Sequence, residues 1–181
     1  MTTEAAVKWA VDPTHSEVQF KVKHLVISTV TGSFNQFSGS ATTTNDDDFD
    51  DAEIHFSLDV SSIDTNQEMR DTHLKSADFF DVANYPYITF QSTSFKKAKG
   101  DLYKLTGNLT MHGVTKEVTV NAEFGGSAKD GYGQTKIGFE ITGVVNRKEF
   151  GLTYHALTET GGLALGEDIK LIANIQLTKQ A

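Results

Sequence analysis

The chain has no cysteine, two prolines and one tryptophan in 181 residues. Without cysteine there are no disulfides, thiolate zinc sites or cysteine nucleophiles, while the redox compartment stays open, since such a chain survives either poise. No window approaches the ~18 consecutive apolar residues of a transmembrane helix, so no integral membrane segment is expected. Positive charge is scarce too. Sixteen Lys and Arg against twenty-four Asp and Glu leave a formal net charge of −8. That balance argues against nonspecific binding to nucleic acid or to an anionic membrane surface, which need surplus Lys and Arg. Met1–Lys8 has no basic n-region and no apolar h-region. The sequence as it stands therefore predicts a cytoplasmic protein, or a periplasmic one if a signal was removed.

What the chain does have is glycine, phenylalanine and strict alternation. Its length suits one domain over residues 1–181, since domains run ~100–200 residues. Fifteen Gly and twelve Phe fit a chain of strands and turns. In Glu17–His24, Val18, Phe20 and Val22 alternate with polar residues, the period-2 mark of a half-buried strand. The same pattern recurs in Glu53–Val60, Tyr87–Phe95, Tyr103–His112, Glu117–Phe124, Lys136–Val145 and Ile169–Leu177. Weaker strands are expected at Val7–Val11 and from about Thr29 to Thr44. Turn signals such as Lys99-Gly100-Asp101, His112-Gly113 and Lys129-Asp130-Gly131 separate them and favour antiparallel hairpins. The acidic run Asp46–Asp51 lacks the Gly and closing Glu of an EF-hand and reads as a solvated turn.

Strands with one apolar face each must bury it in a sandwich or a closed barrel. Sequential hairpins and long strands predict an all-β fold: an eight-stranded antiparallel up-and-down barrel. One stretch, Ser62–Asn84, breaks the alternation and predicts a short helical insert. Asp64 or Thr65 would N-cap a helix over 66–74, and the insert would cover one barrel end, anchored by Phe79 and Phe80.

The expected inward set is Phe20, Val22, Phe56, Leu58, Phe90, Leu105, Leu109, Phe139, Ile141, Leu171 and Ile175. Alternation alone fits either a packed core or a lipid-lined pocket. A barrel of ten-residue strands gives a cavity at most ~25 Å tall, suited to a long, thin, apolar guest. Gly107 and Gly143 fall on inward positions, where glycine marks a bend or a close approach and favours a cavity. The polar candidates sit in the insert. On a helix, Arg70 and His73 share a face with Asn66, and Asp71 with His73 offers an orienter and a base. Salt-bridged plugging of the barrel end is the competing reading, with Arg70 pairing to Asp71 or Asp78. The six histidines, His15, His24, His55, His73, His112 and His155, show no metal-binding spacing, and His55 and His112 fall on outward strand faces.

Longer motifs carry a resemblance. Val11-Asp12-Pro13-Thr14-His15-Ser16-Glu17, Ser61-Ser62-Ile63-Asp64-Thr65-Asn66 and Arg70-Asp71-x-His73-Leu74-Lys75-Ser76-x-Asp78-Phe79-Phe80-Asp81 resemble the YceI-like family. So do Tyr85-Pro86-x-Ile88-Thr89-Phe90, Leu105-Thr106-Gly107-x-Leu109-Thr110-Met111-His112-Gly113 and Asn146-Arg147-x-x-Phe150-Gly151-Leu152, in the expected order over nearly the whole chain. The resemblance implies a lipocalin-like barrel whose interior takes a polyisoprenoid or similar long-chain amphiphile, in a family that often forms homodimers and has no established catalysis. The absent signal departs from the many periplasmic members. The motif residues Asp12, His15, Arg70, Asp71, His73, Arg147 and Phe150 receive no catalytic assignment from the resemblance, and most would hold the irregular segments on the barrel.

Two functions follow as expectations. The first is carriage or storage of a long apolar or amphiphilic lipid (polyisoprenoid, isoprenoid quinone or fatty-acid-like), with no other cofactor, no metal, and Arg70, Asp71 and His73 at the mouth. The alternative is a barrel enzyme acting on a lipid through Asp71 and His73. Inward faces almost bare of polar groups favour binding over catalysis.

Overall fold

Every alternating run needs a backbone partner on each edge and cover for its apolar face. The structure, a computed structural model, describes residues 6–24, 27–45, 49–152 and 166–180. Its strands are β1 (Val7–Val11), β2 (Glu17–His24), β3 (Ser28–Phe34), β4 (Phe37–Thr43), β5 (Glu53–Asp59), β6 (Ile63–Asp64), β7 (Tyr87–Lys99), β8 (Leu102–Met111), β9 (Val114–Lys129), β10 (Thr135–Asn146) and β11 (Asp168–Lys179). One helix, α1 (Glu68–Lys75), lies between β6 and β7. The described residues contain no helix long and apolar enough to cross a membrane.

The sheet closes on itself as an eight-stranded antiparallel barrel, in the order β1-β4-β5-β7-β8-β9-β10-β11 and back to β1. β2 continues the line of β1, and β3 that of β4. β11 pairs with β1 through Leu177–Lys179 and with β2 through Lys170–Asn174. Likewise β1 pairs with β4 and β2 with β3. Two long strands are thus each broken once, which explains the weaker alternation at both places.

The first break sits at Pro13, which has no N–H to give the ladder. A short 3-10 turn over Pro13–His15 replaces it. The carboxylate of Asp12 accepts from Thr14 N at 3.1 Å, and Ser16 Oγ accepts from Gln176 N at 2.9 Å, bridging to β11. Lys136 Nζ on β10 and His15 Nδ1 each lie 2.7 Å from Asp12 Oδ2. Lys136 first, then His15 and Thr14, hold the Asp12 carboxyl well below the usual carboxylate range.

Inside, alternation does what it predicts. On β8, Tyr103, Leu105, Leu109 and Met111 are buried. Two apolar clusters form at the two ends. One gathers Trp9, Phe49, Phe95, Tyr103, Ala122 and Ile137, and the other Phe20, Phe34, Val60, Ile63, Met111 and Phe150. The turns β4–β5, β7–β8 and β9–β10 lie at the first end, here called the floor. The β2–β3 turn, the insert, the β8–β9 turn and the β10–β11 connection lie at the second, the mouth. His112 sits in the β8–β9 turn with φ +54°, its ring 4.9 Å from that of Tyr85, rather than on an outward strand face. His55 is exposed. His155 and Asp46–Asp48 lie outside the described residues, as does the side chain of His24.

The Asp12 contacts predict a pH signature. A carboxyl whose folded pKa is depressed stabilises the fold above its unfolded pKa of ~3.9 and loses that stabilisation as pH falls through the folded value. Asp12→Asn is expected to lower Tm by about 2–4 °C at neutral pH. The gap to the parent should narrow once pH drops below ~4. Thermal melts across that range check it, and a gap constant with pH would assign the loss to geometry instead.

Candidate functional site

The barrel interior is not filled. A cavity of about 710 Å³ runs between the two apolar clusters. Its wall includes Phe20 and Val22 of β2, Phe56 and Leu58 of β5, Phe90 of β7, and Leu105 and Leu109 of β8. Phe139 and Ile141 of β10 and Leu171 and Ile175 of β11 complete the set expected from alternation. Phe56, Phe90, Phe139, Ile141, Leu171 and Ile175 line this space and are only half-buried, although Phe56 also stacks on Phe37 and Phe139 packs on Phe49 and Phe124.

Ring placement keeps that space open. A Cβ on Gly32 would stand 2.3 Å from the ring of Phe20, its cross-strand partner. One on Gly39 would stand 2.7 Å from the ring of Phe56, and one on Gly107 2.5 Å from that of Phe90. These rings lean along the wall onto glycine backbone instead of standing across the barrel. Gly107 and Gly143 therefore mark close approaches, as their inward positions suggested. Their missing side chains leave room for Phe90 and Val120.

The floor is sealed by Phe49, 3% exposed, at the centre of an aromatic group. Its ring centroid lies 5.1 Å from Phe124, 5.7 Å from Phe139 and 6.1 Å from Trp9. Trp9 Nε1 donates to Thr43 Oγ1 at 3.0 Å, satisfying the buried indole. The segment carrying Phe49 is clipped to β7. Asp51 N donates to Phe95 O at 2.8 Å, Lys97 N to the Asp50 carboxylate at 2.8 Å, and Lys96 pairs with Asp51. Sequence reasoning missed Phe49. The signal was one large apolar residue inside an acidic run.

The mouth carries the polar groups. The insert is helical from Glu68 to Lys75, two residues later than the sequence suggests, and its N-cap position, Gln67, makes no side-chain cap. Asn66 takes a left-handed φ of +67°, so the chain turns before the helix starts. Asp64 accepts from Asn66 N at 2.8 Å within that turn. Gln67, Met69, Arg70, His73 and Leu74 line the cavity, while Asn66 and Asp71 do not. Gln67, Met69 and His73 are also exposed, so the cavity reaches the surface beside α1. Phe79 and Phe80 anchor the insert as expected, Phe80 packing on Phe34 with centroids 6.1 Å apart.

The expected pairings of Arg70 with Asp71 or Asp78 are replaced by others. Arg70 donates from Nε to Thr65 Oγ1 at 2.7 Å and from Nη2 to Thr65 O at 2.5 Å. Asp71 accepts from Thr65 N at 2.8 Å and from Thr65 Oγ1. His73 Nε2 lies 3.0 Å from Asp78 Oδ2. Asp71 and His73 thus serve different partners and do not form an acid–base pair. Thr65, 3% exposed, is the hub that fixes the direction of the Arg70 fork.

Arg147 is a wall residue that sequence reasoning placed only in a motif. It is 2% exposed, and burial pushes its guanidinium below the ordinary arginine value, opposed by the nearby Glu167. It donates to Leu152 O at 2.6 Å and to Gly166 O at 2.8 Å, holding both ends of the β10–β11 connection. Among the described residues, no three His, Asp or Glu side chains are placed to share a metal ion.

Comparison with known proteins places this geometry. A Staphylococcus aureus (strain USA300) UPF0312 protein is 37% identical over 168 residues, 92% of this chain and 95% of the relative. The crystal structure of a Campylobacter jejuni YCEI protein is 32% identical, superposes with a TM-score of 0.75, and matches over 100% of both chains. A polyisoprenoid binding domain from Saccharophagus degradans, implicated in plant cell wall breakdown, shares the fold with a TM-score of 0.71. It is 14% identical over 95% of this chain and 98% of that one. The YceI-like domain profile matches residues 9–177, and the chain belongs to that family.

Proposed function

We propose that the protein binds a long-chain apolar or amphiphilic lipid, of polyisoprenoid, isoprenoid-quinone or fatty-acid type, tail inward, and carries or stores it. The observation that carries this reading is the set of inward-facing but half-buried apolar side chains around a continuous cavity of about 710 Å³. Left dry, a space of that size would deny its lining side chains packing partners on one side. Water fills such a space poorly, since it needs two to four polar partners and the wall offers few away from the mouth. A lipid tail gains ~0.8 kcal/mol per CH2 moved from water, so ten methylenes contribute ~8 kcal/mol before ordering costs. The polyisoprenoid binding domain of the same fold supports the ligand class.

The test narrows the cavity from the wall. Ile141 sits mid-strand between Ala122 and Ala173, where a larger side chain enters open space. Ile141→Trp is expected to weaken binding of a dansylated fatty acid at least tenfold. The unfolding free energy should fall by less than the ~1–3 kcal/mol that overpacking a solid core costs. A variant that melts far below the parent and binds the probe normally would place the pocket elsewhere.

An anionic head at the mouth would meet the Arg70 fork, which Thr65 aims and no carboxylate contacts among the described residues. Arg70→Ala is expected to weaken the fatty acid more than a long-chain alcohol of equal tail. Equal loss for both, with a large fall in Tm, would make Arg70 a structural clasp only.

A further inference from the structure

The large apolar side chains that remain exposed are unevenly placed. Ile27 and Met69 are each 85% exposed, Val144 61%, Tyr87 58% and Tyr85 38%. All five belong to the mouth half of the barrel. Ile27 is in the turn after β2, Met69 on the first turn of α1, Tyr85 and Tyr87 at the start of β7, and Val144 near the end of β10. At the floor, Tyr132 alone among the described residues matches their exposure. Scattered surface hydrophobics need no explanation, but a set around one opening does.

Charge around this rim is mixed. Lys23, Arg70 and Lys170 stand at the same end as Glu68, Asp78 and Asp168. Such a surface has no reason to prefer an anionic bilayer, and the net charge of −8 opposes one. It matches a neutral, zwitterionic headgroup layer, where aliphatic side chains insert and tyrosines settle at the interface. Met69 belongs to the rim and to the cavity wall, so an apolar path leads from the surface inward. A second copy seated on this end would seal the route by which a lipid enters.

We propose that the mouth end docks on a zwitterionic lipid bilayer through Ile27 and Met69, with Tyr87 at headgroup level, so that a lipid passes into the barrel without crossing water. This rests on the lipid-binding reading above, and the experiment separates the two.

Flotation with phosphatidylcholine vesicles is the test. The parent is expected to float, and adding anionic phosphatidylglycerol to the vesicles should not improve it. Ile27→Ser and Met69→Ser should each weaken vesicle binding about tenfold, the ratio for losing one buried aliphatic side chain. Ile27→Trp should strengthen it. Tyr132→Ser, at the far end, should leave it unchanged. Binding of a dansylated fatty acid without vesicles should be untouched by Ile27→Ser. The docking proposal is overturned if the parent does not float while the probe still binds, or if Tyr132→Ser matters as much as Ile27→Ser. It is equally overturned if Ile27→Ser turns a dimer into a monomer and leaves flotation as it was. Loss of probe binding in the parent would instead remove the lipid-binding reading itself.

Discussion

The closure of β11 onto both β1 and β2 sets the terms for everything else in this barrel. One strand joins the two halves of a broken partner, Trp9–Val11 on one side of Pro13 and Glu17–Lys21 on the other. Once eight strands close, the circumference is set, and with it an interior wide enough for side chains or for one small ligand. Which of these it holds is then decided by where side chains lean. Phe20, Phe56 and Phe90 would close much of the bore if they stood across it. Lying over Gly32, Gly39 and Gly107, they leave it open.

The two ends are built from different chemistry, and the difference gives the cavity a direction. The floor is apolar closure: Phe49 is held among Trp9, Phe124 and Phe139 and tied down through Asp50 and Asp51. The mouth adds polar clasps to its apolar cluster. Thr65 gathers Arg70 and Asp71, and Arg147 holds Leu152 and Gly166 by their carbonyls. Buried polar groups of this kind cost stability unless fully bonded, and Thr65 and Arg147 are both bonded several times over. A tail lying toward the floor and a head toward the clasped end follow from that asymmetry on the proposed reading.

Alternation made the wall legible, because period 2 is a local property: Tyr103, Leu105, Leu109 and Met111 face inward in the sequence and in the fold alike. The glycine–phenylalanine contacts were not legible, because they depend on register between strands. Gly32 means nothing until it stands opposite Phe20. The helix start shifted because Asn66 adopts a left-handed turn that propensity does not reveal. Arg70 went to Thr65 rather than to a carboxylate because the Thr65 hydroxyl and carbonyl meet its fork, while the Asp71 carboxylate is itself taken up by Thr65 N and Oγ1. Phe49 was hidden by its acidic neighbours, and Arg147 by the rule that arginine stays at the surface.

Native mass spectrometry of the protein, after incubation with a total lipid extract, addresses the central claim most directly. The account predicts one lipid per 19.8 kDa chain, released by organic solvent and carrying a long apolar tail. A chain that stays at its bare mass, with no lipid retained from the extract, would contradict it.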